Sequence, residues 1–313
     1  MKTIKYFLVV TLLFSLTLSA QQESLFTTYR YNMNLTNPAY AGENHETVFS
    51  STFRNQWTAI KDAPQTQALS FGTPLTKNVG IGLSMIYDKT FIEKQTMVGL
   101  DVSYKIQVSG LTDLYLGIKA GGTSYNVNTS GLETYNLQSD PALFTINQFN
   151  PNIGIGALLK NDKFFISLSV PRLLNTERAK NVNGYASLAT DRPNYYLSGG
   201  HNFNFETFTP LVLKPSIMLR YVNGAPISVD FNTMLEIANI LEIGGTYRIN
   251  KAFGGIAGIK ISKLLKVGYA YEINFKNELA KANSTNEFFL LFKIKNLKSV
   301  IKKKINCQKM LIK

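Results

Sequence analysis

The stretch Val98-Gly99-Leu100-Asp101-Val102-Ser103-Tyr104-Lys105-Ile106 alternates without a break, five apolar side chains separated by Gly, Asp, Ser and Lys. Successive side chains of an extended chain point to opposite sides, so this is a strand with one apolar and one polar face. The same period of two recurs on both sides of it. Val79, Ile81, Leu83, Met85 and Tyr87 alternate with Gly80, Gly82 and Ser84, and Ile227, Val229, Phe231 and Leu235 with Ser228, Asp230, Asn232 and Glu236. Leu265, Val267, Tyr269, Tyr271, Ile273 and Phe275 stand against Lys266, Gly268, Glu272 and Asn274. Counting such segments, with turn residues between them, gives fourteen, the first at 46–54 and the last at 286–295.

Most of these segments are eight to fourteen residues long. A tilted strand needs about 9–11 residues to cross a bilayer, whereas strands of soluble proteins centre near about 5–6. Connections after even-numbered segments are short, as at Asn161-Asp162 or the single Lys263. Those after odd ones include Asn55 to Pro64, Thr123 to Phe149, Pro171 to Arg192 and Lys276 to Thr285, with short exceptions near Gly224 and Lys251. Outer-membrane barrels combine short periplasmic turns with longer outer loops, and an even strand count returns the chain to its starting side. The expected fold is therefore all-β: a single transmembrane antiparallel barrel of about 14 strands, with both termini periplasmic. A soluble β-sandwich or lipocalin-like barrel, its apolar face inward, has the same alternation. The polar face of Gly, Ser, Asn, Asp, Glu and Lys suits a wet lumen instead, and Tyr87, Tyr125, Phe203, Tyr221, Tyr247 and Phe275 fall near strand ends, where interfacial aromatics sit.

Composition narrows the function classes. The 313 residues are 45% hydrophobic, 12% aromatic and 17% charged, apolar enough to repay the entropy of ordering. Cys307 is the single cysteine, which excludes an intrachain disulfide. The two histidines, His45 and His201, lack metal-ligand spacing, and no G-x-S-x-G, H-E-x-x-H or P-loop is present. No enzyme, cofactor or metal is expected. His201 alternates with Tyr195, Leu197 and Phe203, a lipid-facing or interfacial setting. Formal net charge is +13, but two of the 33 basic residues lie in the first twenty residues and eight in Lys293 to Lys313. The remaining 23 face 20 acidic side chains, a net of +3, so no nucleic-acid partner is expected.

The ends read separately. Lys2 and Lys5, the apolar run Tyr6 to Leu18, and Ser19-Ala20 form a secretory signal, 1–20, cut before Gln21; the apolar run is shorter than a spanning helix needs. The tail 296–313 is basic and periplasmic in this scheme. It places Leu297, Val300, Ile301 and Ile305 at helical spacing, interrupted by Lys304 and Lys309, and reads either as a short amphipathic helix or as a disordered arm.

Residues 21–45 precede the first strand and do not alternate. They contain Asn37-Pro38-Ala39-Tyr40-Ala41-Gly42, where Asn-Pro and a nearby Gly signal tight turns. Next comes Arg54-Asn55-Gln56-Trp57-Thr58-Ala59-Ile60, followed by Ala63-Pro64-Gln65-Thr66. With Gly80-Ile81-Gly82-Leu83-Ser84, these elements resemble the PorP/SprF family of outer-membrane proteins linked to type IX secretion. The likeness runs from about Gln22 to Ile294, and its distinctive motifs lie in the first quarter. Lys61-Asp62 stands where the family pattern has a glycine-containing turn.

The resemblance implies a component that supports export or cell-surface attachment of a partner such as an adhesin, alongside other type IX secretion components, in gliding or surface-colonising bacteria. Its motif residues Asn37, Pro38, Tyr40, Gly42, Arg54, Gln56, Trp57 and Pro64 are the candidate site, structural or partner-contacting. Asn37, Pro38, Tyr40 and Gly42 are read as a turn that folds a plug-like segment, 21–45, into the lumen of the barrel 46–295, because side chains fill only the smallest barrels. Arg54 and Trp57 form either a cation–π pair at the mouth of the first loop or an interfacial aromatic beside a solvated arginine. The long outer connections are candidate binding loops. Two other classes remain: a passive channel for hydrophobic or small polar solutes, and a soluble periplasmic binding protein.

Overall fold

The structure is a computed structural model that describes residues 26–58, 60–128, 146–177, 190–205, 207–275 and 284–295. The signal 1–20, the tail 296–313 and the greater part of the connections that follow Asn128, Glu177 and Phe275 lie outside the described residues.

Fourteen antiparallel strands close on themselves. They are β1 Glu46–Gln56, β2 Gln65–Pro74, β3 Val79–Thr90, β4 Glu93–Gln107, β5 Asp113–Val127, β6 Ile146–Lys160 and β7 Phe164–Val170. Then come β8 Asn194–His201, which resumes after Asn202 as Phe203–Phe205, β9 Leu211–Val222, β10 Ser228–Ile237 and β11 Leu241–Arg248. β12 Ala252–Lys260, β13 Leu265–Asn274 and β14 Ser284–Lys295 complete the wall. Each strand pairs with its neighbour in sequence, and β1 pairs with β14 from Glu46 opposite Lys295 to Gln56 opposite Thr285. Closure leaves no strand edge, the condition for crossing lipid with strands.

The pleat sorts side chains as the alternation requires. Leu100 and Val102 are 63% and 53% exposed on the outside, while Asp101 and Ser103 between them are 1% and 2% exposed. A soluble barrel would have the opposite sense; a continuous apolar outer band of this kind belongs in lipid. Where long connections leave the barrel, outward-facing rings pair: Tyr195 with Tyr221 at 6.0 Å, Tyr247 with Phe275 at 6.1 Å and Phe253 with Phe275 at 5.4 Å. Tyr125, expected in this belt, is buried instead, because its position has luminal parity.

The strand boundaries differ most at β5 and β6. The pairing continues to Val127 opposite Ile146, so these strands extend past the expected ends at 122 and 150 and shorten the connection between them. Pro171 to Arg192 carries a two-residue ribbon, Thr176–Glu177 paired with Thr190–Asp191.

Candidate functional site: the N-terminal segment in the lumen

Residues 26–45 lie inside the barrel as four short helical turns, Tyr29–Tyr31, Met33–Thr36, Pro38–Tyr40 and Glu43–His45. The breaks between them are encoded locally. Asn37 is extended (φ −138°), its side-chain oxygen accepts the Ala39 amide at 2.8 Å, and Pro38 supplies the fixed φ of a first helical position. Gly42 turns the chain at φ +66°, in the left-handed region that favours glycine.

The segment has a direction. Thr27 and Thr28 meet Arg54, Glu272 and Glu287, which lie two to three residues from the long-connection ends of β1, β13 and β14. His45 joins β1 at the opposite end, beside Lys105. The chain therefore descends the lumen from the long-connection rim to the short-turn rim, and the first described residue, Phe26, is at the former.

Three kinds of contact hold it. The first is close backbone approach. A Cβ on Gly80 would lie 2.0 Å from the Ala41 carbonyl oxygen, one on Gly117 2.3 Å from the Ala39 nitrogen, and one on Gly156 1.9 Å from Asn37 Oδ1. β3, β5 and β6 thus present a bare backbone face on which the Asn37 to Gly42 turn sits. Asn37 Nδ2 donates to Ser167 Oγ at 2.7 Å and to the Ala157 carbonyl at 3.1 Å, and Ser103 Oγ donates to the Ala41 carbonyl at 2.5 Å. The second is apolar packing: Phe26, Tyr29, Met33 and Leu35 bury against Ala68, Tyr196 and Met218. Burial pushes the Tyr29 phenol up to about 12, its hydrogen bond to Ser216 only partly opposing this, so it serves as a neutral group.

The third is charge. Arg54, 1% exposed, pairs with Glu287 at 2.9 Å and Glu272 at 3.1 Å; Arg248 pairs with Glu272 at 3.3 Å and Asp230 at 2.7 Å. Glu287 also accepts the amides of Thr27 and Thr28, both at 2.9 Å, and the Thr28 hydroxyl. Midway down, Lys119 Nζ bonds Asp101 at 3.3 Å and the carbonyls of Asn34 and Leu35, each at 3.2 Å. Near the short turns, Tyr31 donates to Glu242 at 2.6 Å and Glu43 pairs with Lys160 at 2.7 Å. Buried charges of this kind require partners, and here both wall and segment supply them.

The sequence matches the family of type IX secretion system membrane proteins PorP/SprF over residues 18–292. The chain belongs to the PorP/SprF family. With a closed, lipid-facing wall, that membership makes it an outer-membrane barrel associated with type IX secretion. No curated protein matches the sequence. Among solved structures, the chain is similar to a Pseudomonas aeruginosa FadL homologue (12% identity, 80% of this chain and 89% of that one, TM-score 0.44). It is also similar to CdiB from Acinetobacter baumannii (8%, 80% and 60%, 0.43) and to a mutant Rh. blastica porin (11%, 80% and 99%, 0.36).

The PorP/SprF motif residues fall into two places. Asn37, Pro38, Tyr40 and Gly42 are luminal, and Gly80 and Gly82 of the G-I-G motif are the wall beside Ala41, so two motifs distant in sequence are one contact. Arg54 is luminal as well. It is neither solvated nor stacked on Trp57, because Arg54 has inward parity on β1 whereas Trp57 follows the strand at φ +51°, 36% exposed, its amide donating to the Ser284 carbonyl at 2.8 Å. Gln56 and Pro64 close the first long connection through a 3.0 Å amide-to-carbonyl bond. His201 is partly buried against Phe203, ring centroids 4.3 Å apart. Sequence reasoning missed Asp101, Lys119, Glu272 and Glu287 as segment anchors. Their signal was available: each is a charged residue at a luminal position mid-strand or near a strand end, where no solvent-facing role explains it.

Proposed function

We propose that this PorP/SprF barrel is a closed outer-membrane scaffold that supports export or cell-surface attachment of a partner protein such as an adhesin, and that residues 21–45 of the signal-cleaved chain act as its plug. The observation that carries this reading is the anchoring of residues 26–45 to both ends and the middle of the lumen, by buried hydrogen bonds at the long-connection end and midway and by the half-buried Glu43–Lys160 ion pair at the short-turn end. A solute channel has no use for a permanently filled bore; a platform that must not leak does. Asn37, Pro38, Tyr40, Gly42 and Arg54 then serve to seat the plug, and Gln56, Trp57 and Pro64 shape the first outer loop.

In this orientation the short turns and the end of β14 face the periplasm, and the long connections face the exterior. In this orientation the descent of the segment puts Phe26, its first described residue, toward the exterior rim. The test is deletion of the gene in the producing bacterium. Loss of surface-displayed adhesins with unchanged solute uptake supports the reading; intact adhesins with impaired uptake refute it in favour of a passive channel.

A further inference from the structure

At the short-turn end the segment covers only part of the lumen. Residues 37–45 lie over the side formed by β2 to β7, where Ala39, Ala41 and Glu43 meet Gly117, Gly80 and Lys160. The side formed by β9 to β14 and β1 is not covered by residues 37–45; the segment meets it deeper, where Tyr31 reaches Glu242 and stacks on Phe289 and Arg30 reaches the Lys214 carbonyl. This side opens into a cavity of about 810 Å³ at the rim. A deeper cavity of about 220 Å³ shares Lys214, Lys266 and Lys293 with it and reaches Tyr40. For scale, a cavity of about 150 Å³ admits a benzene-sized ligand.

The walls are unevenly charged. Lys214, Lys260, Lys263, Lys266 and Lys293 line the rim cavity against Glu46 and Glu236, and Arg30 adds a guanidinium below. The carboxylates are already engaged. Glu236 and Glu242 hold Lys214 at 2.7 and 2.8 Å, Glu242 holds Lys266 at 2.7 Å, and Glu46 is 3.8 Å from Lys293. Among the described residues, Lys260 and Lys263 have no side-chain partner, and Arg30 has only the Lys214 carbonyl and the face of Phe165. Leu264, Leu265 and Leu291 supply apolar surface between the cations. A cleft whose charges left over after pairing are of one sign, backed by low-dielectric wall, concentrates the opposite charge.

We propose that this vestibule binds an acidic, extended peptide segment of a partner protein presented at the short-turn end. Carboxylates of the segment pair with Lys260, Lys263 and Arg30, and the apolar leucines accept the side chains between them. An extended segment suits the space because the occupant must lie between the residues 37–45 turn and the opposite wall. The inference rests on the cavity and its charges, and it holds or fails independently of the adhesin reading.

The test is fluorescence anisotropy of a labelled hexaglutamate peptide with the full-length, detergent-solubilised barrel, with hexaserine and hexalysine as controls. Salt-dependent binding of hexaglutamate alone is expected, weakened about tenfold or more by the triple change Lys260→Glu, Lys263→Glu and Lys293→Glu. Truncation after Lys295 is expected to weaken it by less than about threefold. The heat-dependent gel shift of a folded barrel reports whether the triple variant folds; if it does not, Lys260→Gln with Lys263→Gln is expected to weaken binding at least about threefold. Equal binding of hexaserine, indifference to the lysine substitutions, or loss on truncation alone would overturn the proposal.

Discussion

Replacing Asn37 by alanine removes the side chain that links the luminal turn to two strands at once. Its amide donates to Ser167 at 2.7 Å and to the Ala157 carbonyl at 3.1 Å, and its oxygen accepts the Ala39 amide at 2.8 Å, with the residue fully buried. Each such bond contributes about 1 kcal/mol net, and leaving the buried Ala39 amide without an acceptor raises the total to about 2–4 kcal/mol. The barrel wall is unchanged, so this cost falls on docking of the segment. At 1.4 kcal/mol per tenfold, the undocked population should rise about 30- to 700-fold. Hydrogen–deuterium exchange by mass spectrometry on the detergent-solubilised protein reads this as faster exchange in peptides covering residues 26–45, with those from β11 and β12 unaltered. Thr36→Ala is the control, since that hydroxyl bonds only the Met33 carbonyl of its own helix, at 3.1 Å. Unchanged exchange in residues 26–45 of Asn37→Ala, or acceleration spread evenly through the wall, would refute the reasoning.

Gly117→Ala places a methyl group 2.3 Å from the Ala39 nitrogen, which is backbone and cannot swing aside, so the same peptides should exchange faster although no hydrogen bond is deleted. Leu100→Lys, in the middle of β4 on the lipid face, should lower stability in urea-unfolding experiments on lipid vesicles by about 2–4 kcal/mol, whereas Leu111→Lys in the short turn before β5 should change it little. An epitope inserted between Asn128 and Ile146 should be labelled by antibody on intact cells and one after Lys313 should not; the reverse pattern reverses the assigned orientation.

The strands were legible because lipid outside and water inside impose the same period of two on every strand, from Val79 to Tyr87 as from Leu265 to Phe275. That pressure ends where the wall leaves the lipid. Thr123 to Val127 carry mostly polar side chains, so nothing in the pattern announced that β5 continues to pair with β6 there. The turn at Asn37, Pro38 and Gly42 was legible too, since its chemistry is local. Its seat was not: Gly117 and Gly156 are simply glycines of alternating strands until the register brings them under Ala39 and Asn37. Arg54 shows the same limit. Its partners Glu272 and Glu287 are 218 and 233 residues away and become neighbours only when β14 closes onto β1. The sequence-based choice between cation–π stacking and solvation placed Arg54 at the rim, when parity along β1 turns it inward.

Buried ion pairs are costly to assemble and costly to break singly, which makes the Arg54–Glu272–Glu287 group a poor source of net stability but a specific one for register. It accepts Thr27 and Thr28 at one level of the lumen, and Lys119 and Asn37 repeat the fixing lower down. A segment held at several levels along the bore docks as a unit, so weakening one level should loosen its neighbours as well.

Single-channel recording in planar lipid bilayers addresses the filled bore most directly. The intact barrel is predicted to insert without conductance steps, and a variant lacking residues 26–41 to give discrete steps that the intact chain does not. Steady porin-like conductance from the intact barrel, equal to that of the deletion variant, would contradict the account.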